Sequence, residues 1–356
     1  MMKYLYVHIN NDFSGSTYAM KAIIESHQLK NYFLMTNFKE DGFLEGKDSQ
    51  VFINVPYSFL GKGLKTIFQI IRYSFLSTLK LLKLFFNSKI DVVYVNTILP
   101  WTSSLLGKVF GKKIIYHVHE FYVNPSILVK FYLFIMKLTA DEIVYVSDFT
   151  KNSYFIYDND FLKINHFIQF TPVRFSNVNF DDINYSVKFS GPIVMVSAAK
   201  KYKGVELFLS LSKKYPDKSF KLYINDKYDF NEDLPSNFEV FVKHCDIQRE
   251  LFKASVCLNL SQQPDWVETF GLTIWEALTQ GTPVIVPDVG GPLEIIDNKC
   301  GIFCDVRELN QVSKSIDVIL ANLENYSKYS KYSLSRSRFL KDKNKIPNLN
   351  KFKNHA

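Results

Sequence analysis

Short, nearly continuous apolar runs alternate with longer segments of helical period along the chain. KYLYVHI at residues 3–9 precedes AMKAIIESHQL. YFLMT, VFINV and DVVYV follow, with a long helical stretch from Gly63 to Asn87 before the last of them. SSLLGKVFG, KIIYHVH, SILVKFYLFIMKL and EIVYV continue the series. The apolar runs lack strict alternation, as expected of strands whose sheet is covered by helices on both faces. Strand–helix alternation of this kind predicts a parallel, doubly wound α/β sheet.

The pattern breaks near residues 165–192, where NHFIQFTPVRFSNVNFDDINYSVKFSGP carries turn residues and no clear strand pair. It then restarts with PIVMVSA, GVELFLSLSKKYP, FKLYI, FEVFV, IQRELFKA and SVCLNL. The expected organisation is two Rossmann-like domains facing a central cleft: 1–165, a linker at 166–190, and 191–325. A basic segment at 326–356 would be a helix returning toward the first domain plus a tail. One Rossmann-like unit with an unrelated cap is the competing arrangement. A chain of 356 residues is long enough for two cores.

Charge sharpens this picture. The formal net charge is +8. Residues 326–356 hold nine Lys or Arg and one acid, which leaves 34 of each sign in the first 325. A nucleic-acid binder more often concentrates basic charge on a folded face. A basic tail suits solvent or an anionic membrane surface. The four cysteines, Cys245, Cys257, Cys300 and Cys304, form no CxxC pair and no zinc spacing, so free thiols are expected. The opening residues read as a first strand, not a signal peptide, and no run of apolar residues is long enough to span a bilayer.

In open α/β sheets ligands lie beyond the carboxyl ends of the strands. The loop after SVCLNL reads SQQPDWVETFG and enters the helix LTIWEAL, which ends at Gly281. Glu268 therefore sits in the loop and Glu276 about one turn into the helix. The backbone N–H groups of Phe270, Gly271, Leu272 and Thr273 would face outward at the helix start, a ready anion site. A diphosphate there would have a carboxylate on each side to accept hydroxyl hydrogen bonds. The bland reading makes Glu268 a dipole-complementing acid and Glu276 a solvated one.

ETFGLTIWEALTQGTPVIVPDVGGPLEII resembles the E-x7-E signature of the retaining glycosyltransferase family GT4, of GT-B fold. The resemblance runs through Glu268, Phe270, Gly271, Glu276, Ala277, Gly281, Pro283, Val284, Gly290, Gly291 and Glu294. It implies Glu268 near the hydroxyls of a donor sugar, Glu276 at the donor ribose, and the backbone of Gly271–Thr273 at the diphosphate. A second landmark of the family is an Arg followed five residues later by Lys-Gly. In VMVSAAKKYKGVELFL the pair Lys203-Gly204 fits, but Ala198 stands at the Arg position. A leaving nucleoside diphosphate develops negative charge, and Lys200 is the expected substitute cation, with Lys201 behind it. In the first domain His119-Glu120 fits the family's His-acid pair at a strand end, with His119 at the donor sugar. Gly15 and Ser16 occupy the loop that opens toward the cleft.

The resemblance implies a retaining transfer from a UDP- or GDP-sugar to a saccharide or polyprenyl-linked acceptor, with no metal ion and no nucleic acid. The setting it implies is bacterial surface polysaccharide assembly, in the cytoplasm or peripheral on the inner face of the plasma membrane. The stretch 61–89 carries Lys62, Lys65, Arg72, Lys80, Lys83 and Lys89 and no acid, which suits an anionic membrane surface. Two other classes are open. One is a non-catalytic GT-B partner that binds sugar or a lipid carrier. The other is a dinucleotide oxidoreductase, which expects a GxGxxG that NNDFSGST lacks.

Overall fold

The computed structural model describes residues 2–29, 31–37, 42–44, 51–57, 64–122, 125–173, 178–243 and 246–344. Lys62, Gly63, Cys245 and the tail from Lys345 lie outside these. The chain divides into two compact units, one formed by the residues up to Pro172 and the other by Val173–Lys345.

The first unit is a seven-stranded parallel sheet. Its strands are β1 (Tyr4–Asn10), β2 (Phe33–Asn37), β3 (Val51–Asn54), β4 (Val92–Asn96), β5 (Lys113–Val118), β6 (Glu142–Tyr145) and β7 (Asn165–Ile168), in the order β3-β2-β1-β4-β5-β6-β7. Every neighbouring pair is parallel, with Tyr4 opposite Val92 and Asn96 opposite His117. Helix α1 (Gly15–His27) covers one face, packing Met20, Ile23 and Ile24 on Tyr4, Tyr6 and Tyr94. Helices α2 (Leu64–Asn87), α3 (Trp101–Val109), α4 (Ile127–Thr139) and α5 (Asp148–Tyr157) cover the other, over Leu5, Val7, Val93 and Tyr116. Both faces are dry, so the strands read as unbroken apolar runs.

The stretch expected to be an interdomain connection contains more structure than its sequence shows. β7 pairs with β6 at the sheet edge, and its residues are half-buried or exposed. A four-residue edge strand with one wet side has too few apolar positions to leave a pattern. Residues 185–189 form a further short helix, α6 (Tyr185–Phe189), in the second unit.

That unit is a six-stranded parallel sheet of β8 (Ile193–Ser197), β9 (Phe220–Ile224), β10 (Phe238–Val242), β11 (Val256–Leu258), β12 (Val284–Pro287) and β13 (Gly301–Cys304). Its order is β10-β9-β8-β11-β12-β13. Helix α7 (Val205–Lys214) and α11 (Leu309–Ile319) bury Phe208, Leu211, Val312 and Ile316 on one face. On the other lie α8 (Ile247–Lys253), α9 (Leu272–Thr279) and α12 (Leu323–Lys343), with the one-turn α10 (Pro292–Ile295) after β12. The helical start of the basic segment is α12, which packs on α9 and α6 of its own unit. Cys257, Cys300 and Cys304 are free, buried thiols. Among the described residues no helix is long and apolar enough to cross a membrane.

Lys188 on α6 is buried without a carboxylate beside it. Its Nζ donates to the carbonyls of Leu251 and Phe252, 3.1 and 2.5 Å away, and to Thr282 Oγ1 at 2.7 Å. Those carbonyls belong to the last turn of α8, where intrahelical donors run out. Lys188→Met should therefore take the ammonium from the Phe252 carbonyl, while the Leu251 carbonyl keeps the Thr282 hydroxyl and the Ala254 N–H, and lower stability by about 1 kcal/mol, read from urea unfolding midpoints. An unchanged midpoint would show that water replaces the ammonium.

Candidate active site

In each sheet the strand order reverses once, and the loops that leave the two central strands splay apart there. In the second unit this switch point lies between β8 and β11. The loop after β8 makes a tight turn at Lys201–Lys203 and enters α7 at Gly204. Gly204 has φ 81°, and a Cβ there would meet the Leu260 carbonyl oxygen at 2.4 Å. The glycine thus brings Lys203 against the end of β11.

Lys203 Nζ pairs with Glu268 Oε1 across the switch point, and both side chains are largely buried. Ser261 Oγ donates to the same carboxylate oxygen at 2.7 Å, and the Ser261 N–H donates to Asn259 Oδ1 at 3.2 Å. Burial alone pushes the Glu268 carboxyl up. The Lys203 ammonium and hydrogen bonds from Lys203, Ser261 and Asn259 outweigh it and hold the carboxyl below its ordinary range. Lys203 Nζ also lies 4.5 Å from the centre of the Trp266 ring, which stacks on Tyr202. An aromatic face at that range holds an ammonium in place.

The Glu268 loop is fixed from behind. The Gly291 N–H donates to the Glu268 carbonyl at 2.8 Å. A Cβ on Gly291 would lie 2.4 Å from the Thr269 carbonyl oxygen and 2.5 Å from Phe270 Cα. The double glycine after β12 lets two loops lie backbone to backbone. Phe270 turns its ring into the core, edge-on to the fully buried Trp275, so what it offers a ligand is backbone. Gly271, at φ 102°, is the N-cap of α9, and no side chain caps this end. The N–H groups of Leu272 and Thr273 have no intrahelical acceptor by geometry. Glu276 is half-buried one turn further on, and its charge adds to burial, the larger cause, in pushing up the Cys257 thiol on β11. Lys200 is exposed at the start of the 201–203 turn. The structure thus brings Lys203, Glu268 and the start of α9 together, and leaves Lys200 at the surface.

In the first unit the switch point lies between β1 and β4. His119, just past β5, lies with Nε2 2.8 Å from Asn96 Oδ1. Asn96 Nδ2 is 3.0 Å from His8 Nδ1 and donates to the Ser16 carbonyl at 2.9 Å. His8 Nε2 lies 3.0 Å from Thr17 Oγ1, which donates to Asp12 Oδ1 at 2.8 Å. The His117 ring packs 4.2 Å from that of His119 and is fully buried, with Nδ1 3.1 Å from Tyr94 OH. Burial keeps all three histidines neutral, with His8 held down to about 4, His117 to about 3, and His119 well below its usual value. Burial pushes Glu120 up to about 7, against N–H donors from His119 and Ile98. Gly15 and Ser16 are the first residues of α1, and nothing within 4 Å would meet a Cβ on Gly15. Residue size does not explain that glycine.

Residues 190–336 match the family described as glycosyl transferases group 1. No curated relative matches this chain in sequence. Solved structures of similar fold include HepE of Anabaena in complex with UDP-glucose, at TM-score 0.74 and 14% identity over 95% of each chain. Sucrose-phosphate synthase of Thermosynechococcus elongatus follows at TM-score 0.72 and 15% identity over 96% of this chain and 95% of that one. WaaG, a glycosyltransferase involved in lipopolysaccharide biosynthesis, gives TM-score 0.65 at 14% identity over 95% of each. These likenesses, with the two parallel sheets, establish the GT-B fold. Ser261, Asn259 and Asn96 were not among the expected site residues. All three stand at or just past the ends of β4 and β11, where the switch-point rule directs attention.

The Glu268 carboxyl is depressed in the fold, so its stabilising contribution is complete above the ordinary carboxylate range. It is lost as pH falls through the folded value. Glu268→Gln should therefore cost about 3 kcal/mol at pH 7, leaving Lys203 buried unpaired. The difference from the parent should shrink as pH falls to 4, measured by urea denaturation. A constant difference across that range would show that the pair does not titrate as described.

Proposed function

We propose that the protein is a retaining glycosyltransferase that moves a sugar from a UDP- or GDP-sugar to a saccharide or polyprenyl-linked acceptor. The observation that carries this reading is the Lys203–Glu268–Ser261 cluster beside the uncapped start of α9, inside the matched family domain. HepE, of similar fold, is described with UDP-glucose bound. The diphosphate would sit on the N–H groups of Leu272 and Thr273, with the free donor capacity of Lys203 on its oxygens. Glu276 would accept from the ribose and Glu268 from the sugar. In the first unit His119 is the candidate partner for a sugar hydroxyl.

In the proposed step the anomeric carbon–phosphate oxygen bond breaks as the acceptor oxygen bonds the same face of that carbon. The departing phosphate oxygen takes the acceptor proton, so no residue need carry a covalent sugar. The charge that develops on the diphosphate is met by fixed N–H dipoles and an ammonium already in place. We propose that these replace a metal ion. WaaG is described as acting in lipopolysaccharide biosynthesis, and surface polysaccharide assembly is the proposed setting here. Nucleotide release should be seen with one or more members of a UDP- and GDP-sugar panel, and should survive EDTA. Lys203→Ala should lower kcat/KM about 100-fold, while Glu276→Ala should act mainly by raising the donor KM. Full activity in both variants would overturn this placement of the nucleotide.

An anionic membrane surface is the proposed site of work, with lipid-linked acceptors in reach. Helix α2 is apolar on two sides. Tyr73, Leu81 and Phe85 face the core, whereas Phe68, Ile71, Phe75 and Leu79 form an exposed stripe. Phe134 and Leu138 of α4 are also exposed, and α3 packs against both helices. Lys65, Arg72, Lys80 and Lys83 are exposed on α2, which carries no acid. Apolar side chains ringed by cations match a bilayer with anionic headgroups. The protein should sediment with vesicles of phosphatidylglycerol in phosphatidylcholine, more weakly as salt rises. Lys65→Glu with Lys83→Glu should lower binding by roughly tenfold or more. Equal binding to neutral vesicles, or no effect of the reversal, would remove the electrostatic part of the reading.

A further inference from the structure

We infer that Asn96 is a positioning residue, which presents His119 to its ligand as a hydrogen-bond acceptor through Nδ1. The ligand it suits is a neutral group that can donate, a sugar hydroxyl. Only this last step rests on the glycosyltransferase reading.

The Ser16 carbonyl can only accept, and it lies 2.9 Å from the Asn96 side chain. The amide NH2 must therefore face Ser16. The reverse orientation would set two oxygens against each other at that distance. Asn96 Oδ1 then faces His119 Nε2 at 2.8 Å, and only an N–H on that nitrogen satisfies it. A neutral imidazole has one N–H. Nδ1 of His119 is left with a lone pair, and among the described residues no hydrogen-bond partner meets it.

The same amide settles the other end of the chain. It donates to His8 Nδ1, so His8 carries its proton on Nε2 and points it at Thr17 Oγ1. The Thr17 hydroxyl can then give its own proton to the Asp12 carboxylate. The chain ends on two groups that cannot donate, the Ser16 carbonyl and the Asp12 carboxylate, and between them the amide and imidazole protons each have one place, whereas the Thr17 hydroxyl also has the Asn10 carbonyl 3.2 Å away. The titratable groups that face His119 are His117 against its ring, His8 through Asn96, and Glu120 at its backbone N–H. Burial among two other histidines disfavours an imidazolium, which would destroy the acceptor. A carboxylate on the sugar would meet a lone pair there, and a deoxy position would leave that lone pair unpaired.

The test reads the proton directly. Nitrogen-15 NMR of the labelled full chain at pH 7, with His119 assigned by its loss in His119→Gln, should show a proton on Nε2 and a bare Nδ1. A proton on Nδ1, or on both nitrogens, overturns the inference whatever the enzyme's substrate. Asn96→Ala should release the ring, so that both tautomers are seen, and Asn96→Asp, which keeps the shape, should draw a proton onto His8 or His119. Unchanged histidine spectra in both overturn the inference as well. For the ligand, donors deoxygenated at each sugar hydroxyl in turn should include one that loses about tenfold or more in kcat/KM. That penalty should vanish in Asn96→Ala, which a merely structural role would not bring about. A penalty that persists in Asn96→Ala overturns the positioning role. A protein with the expected tautomer but no transferase activity would instead overturn the function proposed above and leave the proton assignment standing.

Discussion

A buried ammonium beside a buried carboxylate, Lys203 with Glu268, is what the second unit is arranged around. Neither charge could be held there alone, since desolvating a lone ion costs far more than a surface ion pair returns. Each needs the other and the hydroxyl of Ser261. Backbone geometry brings the pair together, and the Ser261 hydroxyl and the Trp266 ring hold it. Gly204 brings the lysine turn onto β11, and Gly291 seats the glutamate loop against the turn after β12. The consequence is a site whose polar groups are oriented before any ligand arrives, the condition for electrostatic preorganisation.

The first unit solves the same problem with a single charge, the Asp12 carboxylate. At its strand ends two neutral histidines, His8 and His119, an amide, a threonine and one aspartate are joined in a single hydrogen-bonded line, with the neutral His117 packed against the His119 ring. Burial lowers the basicity of each imidazole, and the amide of Asn96 then fixes proton positions on two of them. A network of this kind orients a ligand by direction of hydrogen bonding, not by attraction of charge, and its strength grows because it is dry. The two units share a sheet topology and a switch point but use opposite electrostatics there.

How much of this was legible depended on range along the chain. Doubly wound sheets follow from local pattern, so the apolar runs placed the strands, and α9 begins at Leu272 as its glycine and period suggested. Lys203, Glu268 and His119 could be picked out because their neighbours, Gly204, Phe270-Gly271 and Glu120, form recognisable strings. Asn96 and Ser261 have no such string. The importance of Asn96 comes from Ser16, 80 residues away, and that of Ser261 from a contact with Glu268 that lies in the same loop but leaves no periodicity or motif to mark it. The edge strand β7 was missed for a simpler reason. One wet side and four residues leave no periodicity to read.

The pairing of Lys203 also changes what the missing arginine means. Ala198 stands where the resemblance leads one to expect a cation, and the reading from sequence counted Lys203 as a full positive charge beside it. In the fold that charge is matched by Glu268, so the pair together offers a diphosphate directional N–H donors and almost no net field. The helix start supplies about half an elementary charge. On the proposed function a whole charge would then come from the exposed turn at Lys200 and Lys201, where water weakens a contact at 4 Å to a few kcal/mol at most. An anion that closes over this turn and excludes water would strengthen the same lysines several-fold without moving them far. On the proposed function the charge absent from position 198 would in this way be replaceable by desolvation, and the exposed lysines would gain their value only with a phosphate in place.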